Sequence, residues 1–427
     1  MAYIKIKKGL DIPIEGAPAG KVRAPLPSSF VCLDFTPFRM ISPHLLVKLG
    51  DIVSIGEPLI EDKKCPGRYW TSPGSGKIAE ILRGDKRVLN GIVIEVDGQD
   101  RQFELPDSED KIPYLLKTGL INQFWMRPFH IPVNPHLAPR SIFVKGLESA
   151  PFTPPAEMQI EGYAQEFQLG LSFISQIAPV HLVSREGFGQ FSDVTHHFAS
   201  GPHPISNPSL HIHLIDPIRR LCDVVWTIDT WGVLAIGFAL KNKKMLTARV
   251  IALAGMGFSD ELRGYYRAPI GMSLELPTRF TRIISGDPLM GQILPYLGFF
   301  DSVCTALPES NERQTFHFLR FLSKYFTASN TYKLSKKTFP FTTHLHGEER
   351  PFIDENIYDR VMPFNIPTSL LIKAVLAEDF ERAVELGLLE VAPEDFALPT
   401  FVCPSKIEMV EIMGKALRRF ASQLLSI

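Results

Sequence analysis

Between Gly50 and Val96 the apolar positions come as short runs (IVSI, PLIE, KIAEIL, GIVIEV) broken every few residues by Gly, Pro, Asp or Asn. Closely spaced strands joined by tight turns leave this pattern, so the stretch predicts a compact β-module. Gly50, Gly56, Gly74 and Gly76 fall at its turns, while Val53, Leu59 and Ile78 fall on the inward face of the alternation. Ahead of it, alternation predicts a first strand from Tyr3 to Lys7. The Pro- and Gly-rich residues from Gly9 to Pro43 predict an extended sleeve around the module. After Val96 a polar, charged break (DGQDRQFELPDSEDK) marks a solvated loop and the first boundary.

Further along, Ile112 to Phe124 carries Leu and Ile at helical spacing and predicts a helix. The proline-dense WMRPFHIPVNPHLAPR that follows can continue neither as helix nor as a central strand. Ser141 to Val144 predicts a strand, Glu166 to Ala178 a helix, and Val180 to Val183 a second strand. Strand, helix, strand at this separation is a βαβ unit and predicts a Rossmann-like parallel sheet covered by helices. The turn after SIFV, KGLESAPFTPP, has neither G-x-G-x-x-G nor G-x-x-x-x-G-K-[ST], and GFGQF at Gly187–Phe191 has too few glycines. The backbone cradle that grips a diphosphate is missing, so no bound dinucleotide is expected. From Val224 to Leu253, the runs VVWTID, WGVLAIGFAL and TARVIALAG read as strands closing this domain. Residues 267–291 hold two strand-like runs and the tight turn ISGDPLMG, which predict a small α+β domain. Helical spacing of Val375, Phe380, Ala383, Leu386 and Leu389 predicts one C-terminal helix. A last helix, behind a Ser405-x-x-Glu408 capping box, presents Ile407, Val410, Met413, Leu417, Phe420 and Leu424 on one face. The fold class is thus α/β and α+β, multidomain, divided as 1–105, 106–258, 259–330 and a C-terminal helical domain over 331–427.

At 427 residues the chain is too long for one ordinary core. With 45% hydrophobic and 21% charged residues and a net charge of −1, it reads as soluble, with no global field to attract nucleic acid. The longest uncharged apolar run, Trp231 to Leu240, is short of the roughly 18–20 residues that span a bilayer. No apolar region follows the N-terminal lysines, which predicts a cytoplasmic location without a signal peptide. The five cysteines, Cys32, Cys65, Cys222, Cys304 and Cys403, are scattered without C-x-x-C spacing, against a zinc ribbon, a cysteine-ligated iron–sulfur cluster or a redox pair. Histidines crowd between His196 and His213 (His196, His197, His203, His211, His213). HIH would place His211 and His213 on one face of a strand, but no carboxylate-completed motif accompanies them, and structural histidines are preferred to metal ligands.

Several of these segments carry a resemblance. G-D-x-V-x-x-G-x-x-L followed by S-P-x-x-G-x-I, starting at Gly50, resembles the biotinyl/lipoyl-like barrel-sandwich hybrid. KIKKGLDIPIEGAP, EDKKCPGRYWTSPGSGKIAEILRGDKRVLNGIVIEV, GPHP with HIHL, RIISGDPLMG, YDRVMP and TFVCPSKIE, in order from end to end, resemble the A subunit of the sodium-translocating NADH:quinone reductase. The resemblance implies a peripheral subunit on the cytoplasmic side of a bacterial membrane complex, with five partner subunits including a membrane-embedded one. That complex carries electrons from NADH to ubiquinone and exports Na+. More distantly the family is similar to the C subunit of the Rnf complex and to the NADH-binding flavoprotein subunit of complex I. In those relatives the Rossmann-like domain holds FMN and NADH, and a helical region binds iron–sulfur clusters. Here the phosphate loop is absent and Cys403 stands alone. The resemblance therefore implies a scaffold with no tightly bound cofactor, with FMN or FAD and Fe–S on other subunits, and ISGDPLMG implies a β-grasp (SLBB-like) domain.

Two alternatives stand beside it. A stand-alone flavin- or NADH-binding oxidoreductase, or an Rnf-like electron-transfer subunit, would need the missing phosphate loop. A swinging-arm carrier would need a modifiable lysine, but DKKCPGR is short and lacks the M-K-M or D-K-A setting, so Lys63 and Lys64 read as surface charges. The stretches ILPYLGFF and FHFLRFLSKYF (Phe316 to Phe326) concentrate aromatics. At this spacing they are more often packing than a ligand surface. If a quinone touches the chain, it needs an apolar cleft with one or two polar donors, and the candidates are Tyr296, Phe299, Phe300, Phe318 and Tyr325. No catalytic residue and no metal ligand is assigned. The basic turn Arg83 to Arg87 is expected to face a partner or anionic headgroups.

Overall fold

The computed structural model describes residues 1–278, 281–310, 326, 338–345, 348–352 and 356–425. The β-module is built from two small sheets. One has the order Phe30–Asp34, Leu89–Val96, Gly76–Arg83, Ile52–Val53, and the other Pro43–Leu45, Pro58–Asp62, Cys65–Thr71. Val53, Leu59 and Ile78 point inward as the alternation predicts, and Gly50 and Gly56 adopt positive φ at turns. The core between the sheets is aromatic. Trp70 receives the edges of Phe35 and Phe38 at 5.1 Å each, in T-shaped contacts that favour the ring quadrupoles. Lys63 and Lys64 sit exposed at the tip of the hairpin whose strands pair Asp62 with Cys65.

The residues ahead of the module do not form a sleeve. Tyr3–Lys5 pairs in parallel with Thr195–Ser200, Val22–Arg23 pairs in parallel with Gly264–Pro269, and only Phe30–Asp34 joins the module itself. The prolines between Pro13 and Pro27 cannot donate to a ladder, so this segment pairs only in short pieces, each on the edge of a different sheet.

A large sheet follows, in the order Tyr3–Lys5, Thr195–Ser200, Val180–Ser184, Ser141–Gly146, Val225–Asp229, Trp125–Arg127, Ile131–Pro132. The first five strands run parallel, Trp125–Arg127 runs against them, and Ile131–Pro132 turns back antiparallel to it. The proline-dense segment thus supplies two short strands, Trp125–Arg127 standing one place in from the edge. The expected Ile112–Phe124 helix is a Lys111–Lys117 α-helix and a short 3₁₀ turn, separated by the left-handed Gly119. WGVLAIGFAL is not a strand: it lies in the Thr230–Asn242 helix, capped by Asp229, whose Oδ1 accepts from the Gly232 N–H. This helix is apolar all round because it packs against the Ala164–Ile174 helix as well as the Ser141–Gly146 and Val225–Asp229 strands. Gly170 and Gly237 let the two helix backbones touch. A Cβ on Gly237 would stand 2.6 Å from the Gly170 nitrogen and closer still to the Glu166 carbonyl oxygen.

The run TARVIALAG does not close the large sheet. Ala248–Ala254 belongs to a separate five-stranded sheet, third after the β-module and the large sheet, ordered Thr281–Ser285, Val303–Pro308, Ala248–Ala254, Gly264–Pro269, Val22–Arg23. The C-terminal part is helical, but the 374–389 pattern is interrupted. Thr368–Leu376 and Phe380–Glu385 are separate helices, the second capped by Asp379, whose side chain accepts from the Arg382 N–H. The last helix, Met409–Leu425, starts beyond the expected capping box; the Ser405 hydroxyl donates to the Pro351 carbonyl instead. Met413, Leu417 and Phe420 are buried on its inner face, and that core is continuous with the large sheet.

Candidate functional site

Sheet connectivity reverses between Ser141–Gly146 and Val225–Asp229: from the first strand the chain winds outward to Thr195–Ser200, then returns to the other side. In open α/β sheets, the crevice beyond the carboxyl ends of the strands at such a switch point is where ligands bind. Lys145 and Asp229, at the ends of these two strands, line a cavity of about 420 Å³ closed by the third sheet and the C-terminal helices. A second cavity, of about 540 Å³, adjoins it toward the β-module. Trp125, His130, Met290, Phe300 and Asp301 line both.

The second cavity has an aromatic wall, and Arg39, Glu408, Glu411 and Arg418 line its other side. Trp125 lies at the start of its short strand, and the turn at Pro128 and Phe129 brings the chain back with His130 in the left-handed region at φ 50°. The imidazole stacks on the indole, ring centroids 4.4 Å apart and planes 8° apart, and Phe300 closes on the indole from 5.2 Å. Burial, with Arg127 and Arg418 nearby, holds His130 well below its ordinary pKa, so the ring is neutral at pH 7. Its Nδ1 is buried and has no hydrogen-bond partner. Phe299 anchors the wall to the β-module, its ring 5.0 Å from Phe38 in a T-shaped contact. Asp34 fixes the same wall, one carboxylate oxygen accepting from the Thr36 N–H and the other from the Phe299 N–H.

The first cavity is charged. Lys145 Nζ stands 2.7 Å from Glu148. Burial opposes the charge on both: the Glu148 carboxyl is raised, whereas the carboxylate beside Lys145 outweighs burial and raises that ammonium. Burial also pushes Asp287 up to about 6 against two backbone N–H donors, from Leu289 and Met290. Asp301 is raised by burial and accepts from the Ser285 hydroxyl at 2.6 Å. Arg127, at the end of the Trp125 strand, donates to the Ser209 hydroxyl and pairs with Glu394 at 3.1 Å.

The chain matches two family models, described as the NqrA N-terminal barrel-sandwich hybrid domain over residues 4–97 and the NqrA second alpha/beta domain over residues 108–245. It is 37% identical to the A subunit of Na(+)-translocating NADH-quinone reductase from Chlamydia caviae, over 98% of this chain and 97% of that one. It is 34% identical to the Pseudomonas aeruginosa protein of the same name, over 98% and 100%. The chain belongs to the NqrA family, the A subunits of Na(+)-translocating NADH-quinone reductases. Among solved structures, an NAD+-reducing [NiFe]-hydrogenase aligns at 12% identity with a TM-score of 0.32, over 67% of this chain and 55% of that one, a likeness too low to bear on the fold.

In this NqrA family member, the sequence-derived quinone candidates divide. Phe299 and Phe300 line the aromatic cavity. Tyr296 does not; it bridges to Ser273, its phenol raised by burial and by Cys32 and acidic neighbours. Phe318 and Tyr325 lie outside the described residues. Sequence pattern alone does not single out Trp125, His130, Asp287 or Asp301, although WMRPFH and ISGDPLMG, where three of them sit, are conspicuous for their prolines and glycines.

The histidine cluster is distributed. His211 and His213 lie on the Pro208–Ile215 helix, not a strand; two residues apart on a helix, they point in different directions. His211 bonds the Ile205 carbonyl at 2.7 Å, His213 pairs with Glu390, His203 with the Ser149 hydroxyl, and His196 with the Ser184 hydroxyl. His197 meets His181 and the Ala2 N–H. Burial pushes the fully buried His211 down to about 4. The folded state therefore refuses a proton that the unfolded chain accepts near 6.5, and the stability that neutral His211 contributes is present above pH 6.5 and lost as pH falls toward 4. Between pH 7 and pH 4, the stability advantage of the wild type over His211→Gln is expected to shrink by ~3 kcal/mol. Urea unfolding of both proteins across that range measures it, and a constant difference would count against it.

Proposed function

We propose that the chain is a peripheral subunit, on the cytoplasmic face, of a membrane-bound Na(+)-translocating NADH-quinone reductase, and that its aromatic cavity holds the head group of a quinone. Near-full-length similarity to proteins named as the A component of that enzyme supports the first part, and no helix among the described residues is long and apolar enough to cross a membrane. The single observation that carries the second is the Trp125–His130 stack with an unspent imidazole nitrogen. A quinone ring is flat and apolar with carbonyl acceptors at its ends, and the stack offers a parallel face whose edge nitrogen, in the Nδ1–H tautomer, donates to one of them. We read the large sheet as Rossmann-like, from its parallel order and switch point, and the third sheet as β-grasp (SLBB-like).

A nucleotide at the switch point is disfavoured by what stands there. The N-terminus of the Thr230–Asn242 helix, where a phosphate would sit, is already occupied by the Asp229 carboxylate, and Glu148 and Asp287 add further negative charge. The chain therefore carries no tightly bound flavin in this reading; flavins and iron–sulfur centres belong to partner subunits. The exposed Arg83–Arg87 turn, with Lys86 and Arg87 at positive φ, offers a basic knob for docking.

The test is photo-crosslinking of the assembled complex with a quinone analogue. Labelling is expected on this chain, between Trp125 and His130 or around Phe300. Phe300→Ala is expected to weaken analogue binding about tenfold, a loss of ~1.4 kcal/mol, without loss of assembly. Labelling confined to the membrane subunits would remove the quinone reading and leave the place of the chain in the complex standing.

A further inference from the structure

Carboxyl groups gather where the two cavities meet. Asp34, Glu408 and Glu411 border the aromatic cavity, Asp301 borders both, and Asp287, Glu148, Asp229 and Glu394 border the charged one. Of the neighbouring cations, Lys145, Arg127 and Arg249 are already engaged, whereas Arg39 and Arg418 line the aromatic cavity and bond neither Asp287 nor Asp301. Lys145 is bound to Glu148, Arg127 to Ser209 and Glu394, and Arg249 donates to the backbone carbonyls of Phe299 and Asp301. Asp287 and Asp301 are thus left to neutral donors: the N–H groups of Leu289 and Met290 for one, the Ser285 hydroxyl for the other. Neighbouring buried carboxyls without a bonded cation do not all ionise readily: burial raises both, Asp301 raises Asp287 and Asp34 raises Asp301, against the hydrogen-bond donors already named and the weaker pull of Lys145 on Asp287 and of Arg249 on Asp301. The arrangement goes beyond structural need, since a turn at Gly286–Gly291 could be capped by an asparagine that carries no proton.

We propose that Asp287 and Asp301 form a proton relay, carrying a proton from the charged cavity to the carbonyl oxygen of a quinone in the aromatic cavity. This rests on the quinone reading above. Reduction of a quinone to a quinol consumes two electrons and two protons. The electrons originate from NADH through the partner subunits of the complex. As the quinone is reduced, the Asp301 O–H bond breaks and an O–H bond forms on the facing carbonyl oxygen, leaving Asp301 as carboxylate. Asp287 then passes its proton to Asp301 and is itself reprotonated from water entering the charged cavity. The second proton, at the far oxygen, comes from water. Asp301 is the catalytic donor because it borders both cavities; Asp287 acts through it. The affinity of Asp287 for its proton, near pH 6, suits a group that must both give up and recover a proton near neutrality.

The experiment uses the assembled complex carrying Asp301→Asn or Asp287→Asn, asparagine in the second case preserving an acceptor for the Leu289 and Met290 N–H groups. NADH-driven quinone reduction is expected to fall about 100-fold in kcat in Asp301→Asn, with the KM for quinone unchanged. In the wild type, kcat is expected to fall as pH rises through an apparent pKa near 6, and Asp287→Asn is expected to lose that limb. Formate, a small acid that fits the cavity, is expected to restore part of the rate in Asp287→Asn. Wild-type rates and pH profile in both variants, with quinone crosslinking to the cavity intact, would overturn the relay and spare the quinone reading; loss of crosslinking in the wild type would overturn both. Should the variants not assemble, the time-resolved infrared difference spectrum of the wild type on quinone reduction decides. A carboxylic C=O band that bleaches as the quinol forms and then recovers as water reprotonates the pair supports the relay, and a band that stays unchanged throughout the turnover overturns it.

Discussion

Gly237→Val is expected to leave the chain unable to hold its native fold at 37 °C. The substituted Cβ would run into the backbone of the Ala164–Ile174 helix, 2.6 Å from the Gly170 nitrogen and nearer to the Glu166 carbonyl. Backbone cannot rotate out of the way as a side chain can, so the two helices must separate along their length. Separation also pulls the buried Phe167, Leu171 and Val233 out of register. Overpacking of a core ordinarily costs ~1–3 kcal/mol, and a clash that only helix displacement relieves belongs at or above ~4 kcal/mol. That is a large share of the ~5–15 kcal/mol by which domains are stable. Thermal unfolding followed by circular dichroism is expected to show a loss of cooperativity or a fall in Tm of about ten degrees or more. A Tm that stays with the wild type would mean that the two helix backbones do not touch.

Trp70→Ala is expected to cost ~3–5 kcal/mol, mostly within the β-module. Trp70 is essentially unexposed, holds the edges of Phe35 and Phe38, and lies under the Arg68 guanidinium at 5.0 Å. Removing the indole opens a cavity between the two small sheets. It also strips the buried Arg68 of an aromatic face, leaving its hydrogen bonds to the Asn122 side chain and the Val133 carbonyl and the charge of nearby Asp62. Since the two hydrogen-bond partners, Asn122 and Val133, lie outside the module, damage is expected to reach the junction with the large sheet. Limited proteolysis should cut first within residues 58–71, and Trp70→Phe should recover more than half of the loss. An alanine variant that melts with the wild type would contradict the placement of Trp70 at the centre of that core.

Much of the fold is legible in the sequence because local pattern and tertiary role agree. In the β-module, period-two alternation and turn glycines coincide with sheets that face a core on one side. In the βαβ unit, Ser141–Gly146 and Val180–Ser184 are flanked by polar turns. The misread helix has a plain physical source: burial erases the period that distinguishes a helix from a strand. Thr230–Asn242 is apolar on every side because a second helix covers the face that water would otherwise mark. His211 and His213 mislead for the opposite reason, a short helix whose polar groups are spent inward on Ile205 and Glu390. The candidate site is only half visible. Phe299 and Phe300 stand out as aromatics, but Trp125 and His130 gain their meaning from a turn that folds one onto the other. The two carboxyls gain theirs from a junction of three sheets and a helix bundle that no local pattern encodes.

The threading of the first strands has a consequence for how the chain is made. Ala2 meets His197 across 195 positions and Arg23 meets Tyr266 across 243, so neither edge strand has a partner when it leaves the ribosome. At about 5–20 residues per second, synthesis takes roughly ten seconds or more to deliver those partners, whereas hairpins of the kind in the β-module close in about 1–10 μs. The module can therefore close while the segment ahead of it hangs free. Capture of the earliest-made strands is a late event, and it fastens three separately formed sheets to one another.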